Sequence, residues 1–328
     1  MQATYLRRLL SIALLFTLAP SMIPSVSSWS NGGYSTDPSS PDYGTHDWLA
    51  DHALDWVPVA EKQWILDHKA AYLFGTELPD RSGCGGCFGD TTKHHVYYHK
   101  DRSIQDEAAA ARAKQVYDQA LAVVPSGNWT KVAVLIGAMT HYIDDLAVFS
   151  HVMGSATDWG PETHHSDYEN YVNARTSTYA SEFTSFLAFD GNLSKRDPYD
   201  TSLLLALDTT FGGATGRNAT WMDQHYGWSN GEFRSRVGES LNLAVNYLAD
   251  VLHGFWLASG QPIPEFSMPL IVLIVGIIAA YCTSRTGLGG TENSQRHRVF
   301  STHKKSMDAH ENRSASEASN VEFCWWWV

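Results

Sequence analysis

The chain has 328 residues, a net charge of −12 and 44% hydrophobic residues. Composition weighs against a dedicated nucleic-acid binder, which would cluster Lys and Arg into a basic stripe. It leaves metal-assisted phosphodiester chemistry open, because bound cations rather than lysines can hold a phosphate.

At the N-terminus, Arg7 and Arg8 precede an apolar run from Leu9 to Ala19, and Val26-Ser27-Ser28 supplies small residues. This pattern predicts a secretory signal peptide over 1–28, cut after Ser28. Trp29 then becomes the mature terminus. Its α-amine, with a pKa of roughly 7.7–8.0, readily yields its proton to a metal, and amine and carbonyl together form a five-membered chelate. The expected lumenal part, 29–262, is long enough for one large domain.

Helical periodicity runs through nearly all of it. The apolar spacing predicts helices over 47–57, 59–74, 104–124, 129–152, 165–188, 201–211 and 233–257. The fold class is therefore all-α, a multi-helix bundle with long loops. The 129–152 segment is apolar on nearly every side and is expected at the centre. Gly and Pro collect at 30–44, 75–90 and 153–162. Cys84-Gly-Gly-Cys87 lacks the second pair that a zinc ribbon needs and reads as a small disulfide loop. Asn128, Asn192 and Asn218 each open a glycosylation sequon.

Residues 266–284 carry no charge and lie between Glu265 and Arg285. At about 1.5 Å per residue a helix of that length spans roughly 28 Å, close to a hydrocarbon core. Arg285, Arg296, Arg298, Lys304 and Lys305 place the following segment on the cytoplasmic side. The expected topology is a single-pass type I membrane protein. Its globular domain is extracellular or lumenal, and a polar tail, 285–328, is disordered in the cytoplasm.

The chemistry concentrates between His141 and Glu169. On a helix, His141 and Asp145 lie about 40° apart, so both can face one ion. His151 is turned roughly 80° from His141 on the same arithmetic and suits a different ion. His165 and Glu169 repeat the four-residue spacing, and His151 can join them. Imidazole and carboxylate together suit zinc. Asp145 on an apolar helix needs a partner if buried, and its two oxygens allow it to bridge two ions. Asp80, the His94-His95 pair and His46 are further ligand candidates in loops and at a helix start.

The motifs His-x3-Asp-x5-His (His141, Asp145, His151) and His-x3-Glu (His165, Glu169) resemble those of the zinc-dependent phospholipase C family. Its wider superfamily includes single-strand-specific fungal nucleases and glycosylphosphatidylinositol phospholipase D. The phrase His-Ser-Asp-Tyr-Glu-Asn-Tyr-Val at 165–172 is especially close to the phospholipase form. The resemblance implies an all-α fold over roughly 29–258 with three zinc ions. It assigns Trp29 and His46 to one ion, and Asp80, His95 and His141 to a second. Asp145 bridges these two, while His151, His165 and Glu169 take the third. His94 is the alternative to His95, and Asp144 to Asp145. A water activated by the paired ions would attack phosphorus, with Asp80 orienting or deprotonating it. A glycerophospholipid, hydrolysed as by a phospholipase C, is the leading substrate. The alternatives are a phospholipase D-type activity on GPI anchors, a single-strand nuclease, and a non-catalytic zinc-binding surface protein.

Overall fold

The computed structural model describes residues 34–260. The expected signal peptide, Trp29, the apolar span 266–284 and the tail 285–328 lie outside the described residues. Among the described residues no helix is long and apolar enough to cross a membrane.

Nine α-helices and one short hairpin make up the described part, which is mostly helical as expected. The helices are α1 (Thr45–Trp56), α2 (Val59–Leu66), α3 (Lys69–Thr76), α4 (Ala108–Val123), α5 (Trp129–Asp144), α6 (His165–Asn173), α7 (Pro198–Phe211), α8 (Ala219–Gln224) and α9 (Gly231–Ala258). Strands β1 (Tyr97–Tyr98) and β2 (Ile104–Asp106) pair antiparallel between α3 and α4.

Helix α5 is central, in line with its all-round apolar sequence. It packs against α1, α3, α4, α7 and α9. Every residue from Val132 to Asp144 except Val134 is buried. Each large aliphatic side chain removed from water there contributes about 1.5–3 kcal/mol. The Asn128 carboxamide starts the helix by accepting from the Lys131 N–H. Two glycines let α3 and α5 touch backbone to backbone. A Cβ on Gly137 would fall 1.9 Å from the Tyr72 carbonyl oxygen, and one on Gly75 would fall 2.2 Å from that of Val134. This contact sets the end of α3, and the chain that leaves it, beside His141.

Several predicted elements are shorter or divided. The 59–74 helix is two helices, because His68 leaves the helical region at φ −125°, ψ 28°. Residues 104–106 are strand, and α4 begins only at Ala108. The 129–152 helix stops at Asp144. Two 3-10 turns follow, Asp145–Ala147 and Phe149–His151, separated by the extended residue Val148. The 165–188 helix ends at Asn173, where a run rich in Ser and Thr offers side-chain partners that compete with the helix. Thr176 bonds back to the Val172 carbonyl, and the Ser181 hydroxyl caps a separate turn, Glu182–Phe186. Helix α7 starts earlier than expected because Asp197 caps it and Pro198 suits its first turn. Helix α8, with Asn218 as its cap, was not among the expected elements.

Candidate metal centre

Three groups of side chains place ligand atoms within 4.8 Å of one another: His46, Asp80 and His141; His94, His141 and Asp145; and His151, His165 and Glu169. The first two share His141 and form one buried cluster. Asp145 sits in its middle. One carboxylate oxygen lies 2.6 Å from His94 Nδ1 and 3.3 Å from His141 Nε2; the other lies 3.5 Å from His46 Nε2 and 3.9 Å from His151 Nε2. It thus touches ligands of both the paired and the separate group.

The elements deliver these groups from far apart in sequence. His46 comes from the first turn of α1, His141 from the last turn of α5, and Asp145 from the turn that ends it. Asp80 and His94 come from the connection after α3. That connection is tied down at both ends. The Asp90 N–H donates to the Pro79 carbonyl at 2.8 Å, and the Asp90 carboxylate accepts from Arg112 and from the Tyr142 hydroxyl at 2.7 and 2.5 Å. Cys84 and Cys87 close a small disulfide loop within it.

The histidine pair at 94 and 95 resolves by alternation. From His94 to Tyr98 burial alternates residue by residue, as in an extended chain approaching a strand. His94, Val96 and Tyr98 point inward. His95 points out, its ring stacked on Tyr97 at 4.4 Å and its Nε2 3.2 Å from Asp106. His95, expected in the cluster, therefore lies outside it, and His94 stands in its place. Asp144 is buried too, but its carboxylate lies behind His46, 3.7 Å from Nδ1. Asp145 is the carboxylate inside the cluster.

The break after α5 moves His151 out of helical register with His141, yet His151 still meets the separate pair. His151 Nε2 and His165 Nε2 lie 3.1 and 2.9 Å from the same oxygen of Glu169. Glu162, outside the ligand set expected from the motifs, stands 3.5 Å from His165 Nδ1. A carboxylate behind a ligating histidine is a common way to orient the ring, and its position three residues before His165 was a usable signal.

The donor set fits a divalent cation. His94 Nε2 and Glu169 Oε2 are buried without a hydrogen-bond partner, a costly arrangement that a metal ion would relieve. His141 Nδ1 donates to the Thr76 carbonyl at 2.7 Å, which leaves Nε2 as the atom facing the cluster. Burial pushes the His46 pKa down to about 3, helped by the charge on His141. Burial would lower His141 as well, but the Asp145 and Asp80 carboxylates outweigh it and raise it well above the usual range. Burial acts to raise Asp145, and the surrounding His141, His151 and His94 hold it well below. His165 is raised to about 10: burial opposes protonation, and hydrogen bonds to Glu162 and Glu169 win.

A helical bundle that sets Asp145 between two clusters of His and carboxylate ligand atoms has the makings of a multi-metal scaffold. The chain belongs to the zinc dependent phospholipase C family, whose model matches residues 45–213, just over half of the sequence. Two solved structures are similar at low identity. The alpha toxin from Clostridium absonum is 16% identical with a TM-score of 0.45, over 70% of this chain and 66% of the toxin. The alpha-toxin from an avian strain of Clostridium perfringens is 13% identical with a TM-score of 0.45, over 67% of this chain and 65% of the toxin. The chain thus spans just under two thirds of the length of these toxins. No curated protein matches.

Proposed function

We propose that this protein is a zinc-dependent phosphodiester hydrolase, a phospholipase C acting on glycerophospholipids. The single observation that carries the reading is the position of Asp145, whose two oxygens reach ligands of both clusters. His46, Asp80, His94, His141 and Asp145 hold a pair of ions; His151, His165 and Glu169 hold a third. Trp29, if signal cleavage exposes it, completes the site around His46. Zinc, when bound, screens the phosphate oxygens and acidifies water so that it attacks phosphorus near neutral pH.

The chain's own groups then have distinct tasks. Asp80 and His165 are the most exposed of these ligand side chains, at 17% and 14%, so substrate arrives from their side. The Asp80 pKa is lowered, since His141 and His94 overcome the burial that would raise it. A carboxylate held ionised in this way is a weak base, so Asp80 serves to orient the attacking water. Thr76 and Glu162 fix the rings of His141 and His165. Family membership implies a phospholipid substrate, and the phrase at 165–172 favours the phospholipase form.

The same proposal covers the rest of the chain. Residues 1–28 direct secretion, 266–284 span a membrane once, and the site faces the extracellular or lumenal side. The full chain in detergent, assayed with phosphatidylcholine, phosphatidylinositol, a GPI-anchored protein and single-stranded DNA with and without chelator, tests the function. Release of diacylglycerol that stops with chelator is expected. Phosphatidic acid release or DNA cleavage would point to one of the alternative activities. No turnover of any substrate by zinc-loaded protein would contradict an enzymatic role.

A further inference from the structure

We infer that Asp223, on α8 and beyond the stretch that the family model matches, is a positioning residue for the His151–His165–Glu169 cluster. The inference rests on the metal reading of that cluster given above. Helix α6 begins at His165, and the side chain of the preceding His164 makes no capping bond. The backbone entering the helix therefore needs an acceptor from elsewhere. Asp223 supplies it across sixty residues. Its Oδ1 accepts from the Thr163 N–H at 2.8 Å and the His164 N–H at 3.1 Å, and its Oδ2 accepts from the Thr163 hydroxyl at 3.0 Å. A carboxylate at this end also suits the helix dipole.

The surrounding segment acts in the same direction. The Thr220 hydroxyl donates to the Trp159 carbonyl at 3.2 Å, and Tyr226 stacks on the His164 ring at 4.3 Å and 9°. Helix α8 also packs against the Phe149–His151 turn. It thus holds both pieces of chain that meet at the cluster: the turn with His151 and the helix start with His165 and Glu169. Asp223 is nearly buried, at 8% exposure, so no water readily replaces it when it is removed. Metal ligands tolerate only about 0.5 Å of displacement before a site loosens. Asp223 therefore acts on the ion through the backbone at 163–164, without touching it.

The test uses the full chain in detergent, loaded from a zinc buffer, with zinc counted by native mass spectrometry and affinity measured by chelator competition. Wild type, Asp223→Ala, Asp223→Asn and His165→Ala are compared. Asp223→Ala should weaken one of three zincs by roughly 10–100-fold, the range for removing a partner behind a metal ligand, and leave the other two unchanged. Asp223→Asn keeps an oxygen that can accept both N–H bonds and should restore most of the affinity. A purely structural role would lower melting temperature without singling out one ion, and the asparagine variant would then show no selective rescue. Should the alanine variant not fold, Asp223→Ser, too short to reach both N–H groups, takes its place. Three zincs of unchanged affinity in Asp223→Ala, with two in His165→Ala, would overturn the inference alone. No zinc in wild type, or no loss in His165→Ala, would instead overturn the metal reading on which it rests.

Discussion

The paired cluster and the separate one are built in opposite ways. The paired cluster gathers His46, Asp80, His94, His141 and Asp145 from four regions of the chain and buries nearly all of them. The separate cluster draws His151, His165 and Glu169 from one short stretch and leaves His165 partly open. The first depends on how helices cross; the second depends on how one loop and one helix start are held. Damage to the bundle should therefore spread to the paired site, whereas damage near α6 should stay local.

The largest effect should come from the residue that joins the two. Asp145→Asn removes the central charge among four imidazoles. Zinc content should fall by at least one ion, and turnover by more than the roughly 100-fold expected for a mere outer partner; metal analysis and a diacylglycerol assay check both. Gly137→Ala attacks the paired site from a distance. Its methyl group would collide with the Tyr72 carbonyl and force α3 and α5 apart, at a cost of about 3 kcal/mol. Urea unfolding should record that loss, and zinc affinity should weaken at the paired site more than at the separate one. Unequal loss in the other direction would break the comparison.

His94→Ala and His95→Ala provide a finer separation. The first should lose zinc from the paired site and the second should leave zinc content near wild type, since His95 faces Asp106 outside the cluster. Equal losses from the two variants would reverse the assignment.

The smallest expected effect concerns pH in chelated protein. His165 has a folded pKa of about 10, above its unfolded value of about 6.5. Its partners Glu162 and Glu169 thus stabilise the metal-free fold fully below pH ~6.5, and this contribution is lost as pH rises through about 10. Zinc must displace that proton, so loading near neutral pH should release protons, seen as buffer-dependent heats in calorimetry. His165→Ala should reduce both the proton release and the pH slope of metal-free stability between about 6.5 and 10.

How much of this was legible in the sequence differs between the same two regions. The mostly helical class and the central place of α5 followed from apolar periodicity, because a helix apolar on every side must be surrounded; the short β1–β2 hairpin did not. The separate cluster was equally readable, since its members are close in sequence. His94 over His95 was not settled by motif, because adjacent residues differ only in which way an extended chain turns them. The alternation with Val96 and Tyr98 carried that information. The break after Asp144 was hidden by the continuous apolar pattern, which does not distinguish a helix from two 3-10 turns buried in the same core. Asp223 was invisible for a simpler reason: nothing local tells an acidic residue in a short helix that its partner lies sixty residues upstream.

The central claim is that eight side chains and one bridging carboxylate among them hold three ions in two groups. Native mass spectrometry of the full chain, purified without chelator and equilibrated in buffered zinc, tests it most directly. Three zincs per chain are predicted, falling to two in His165→Ala. A wild-type protein that binds none, or only one, would contradict the account.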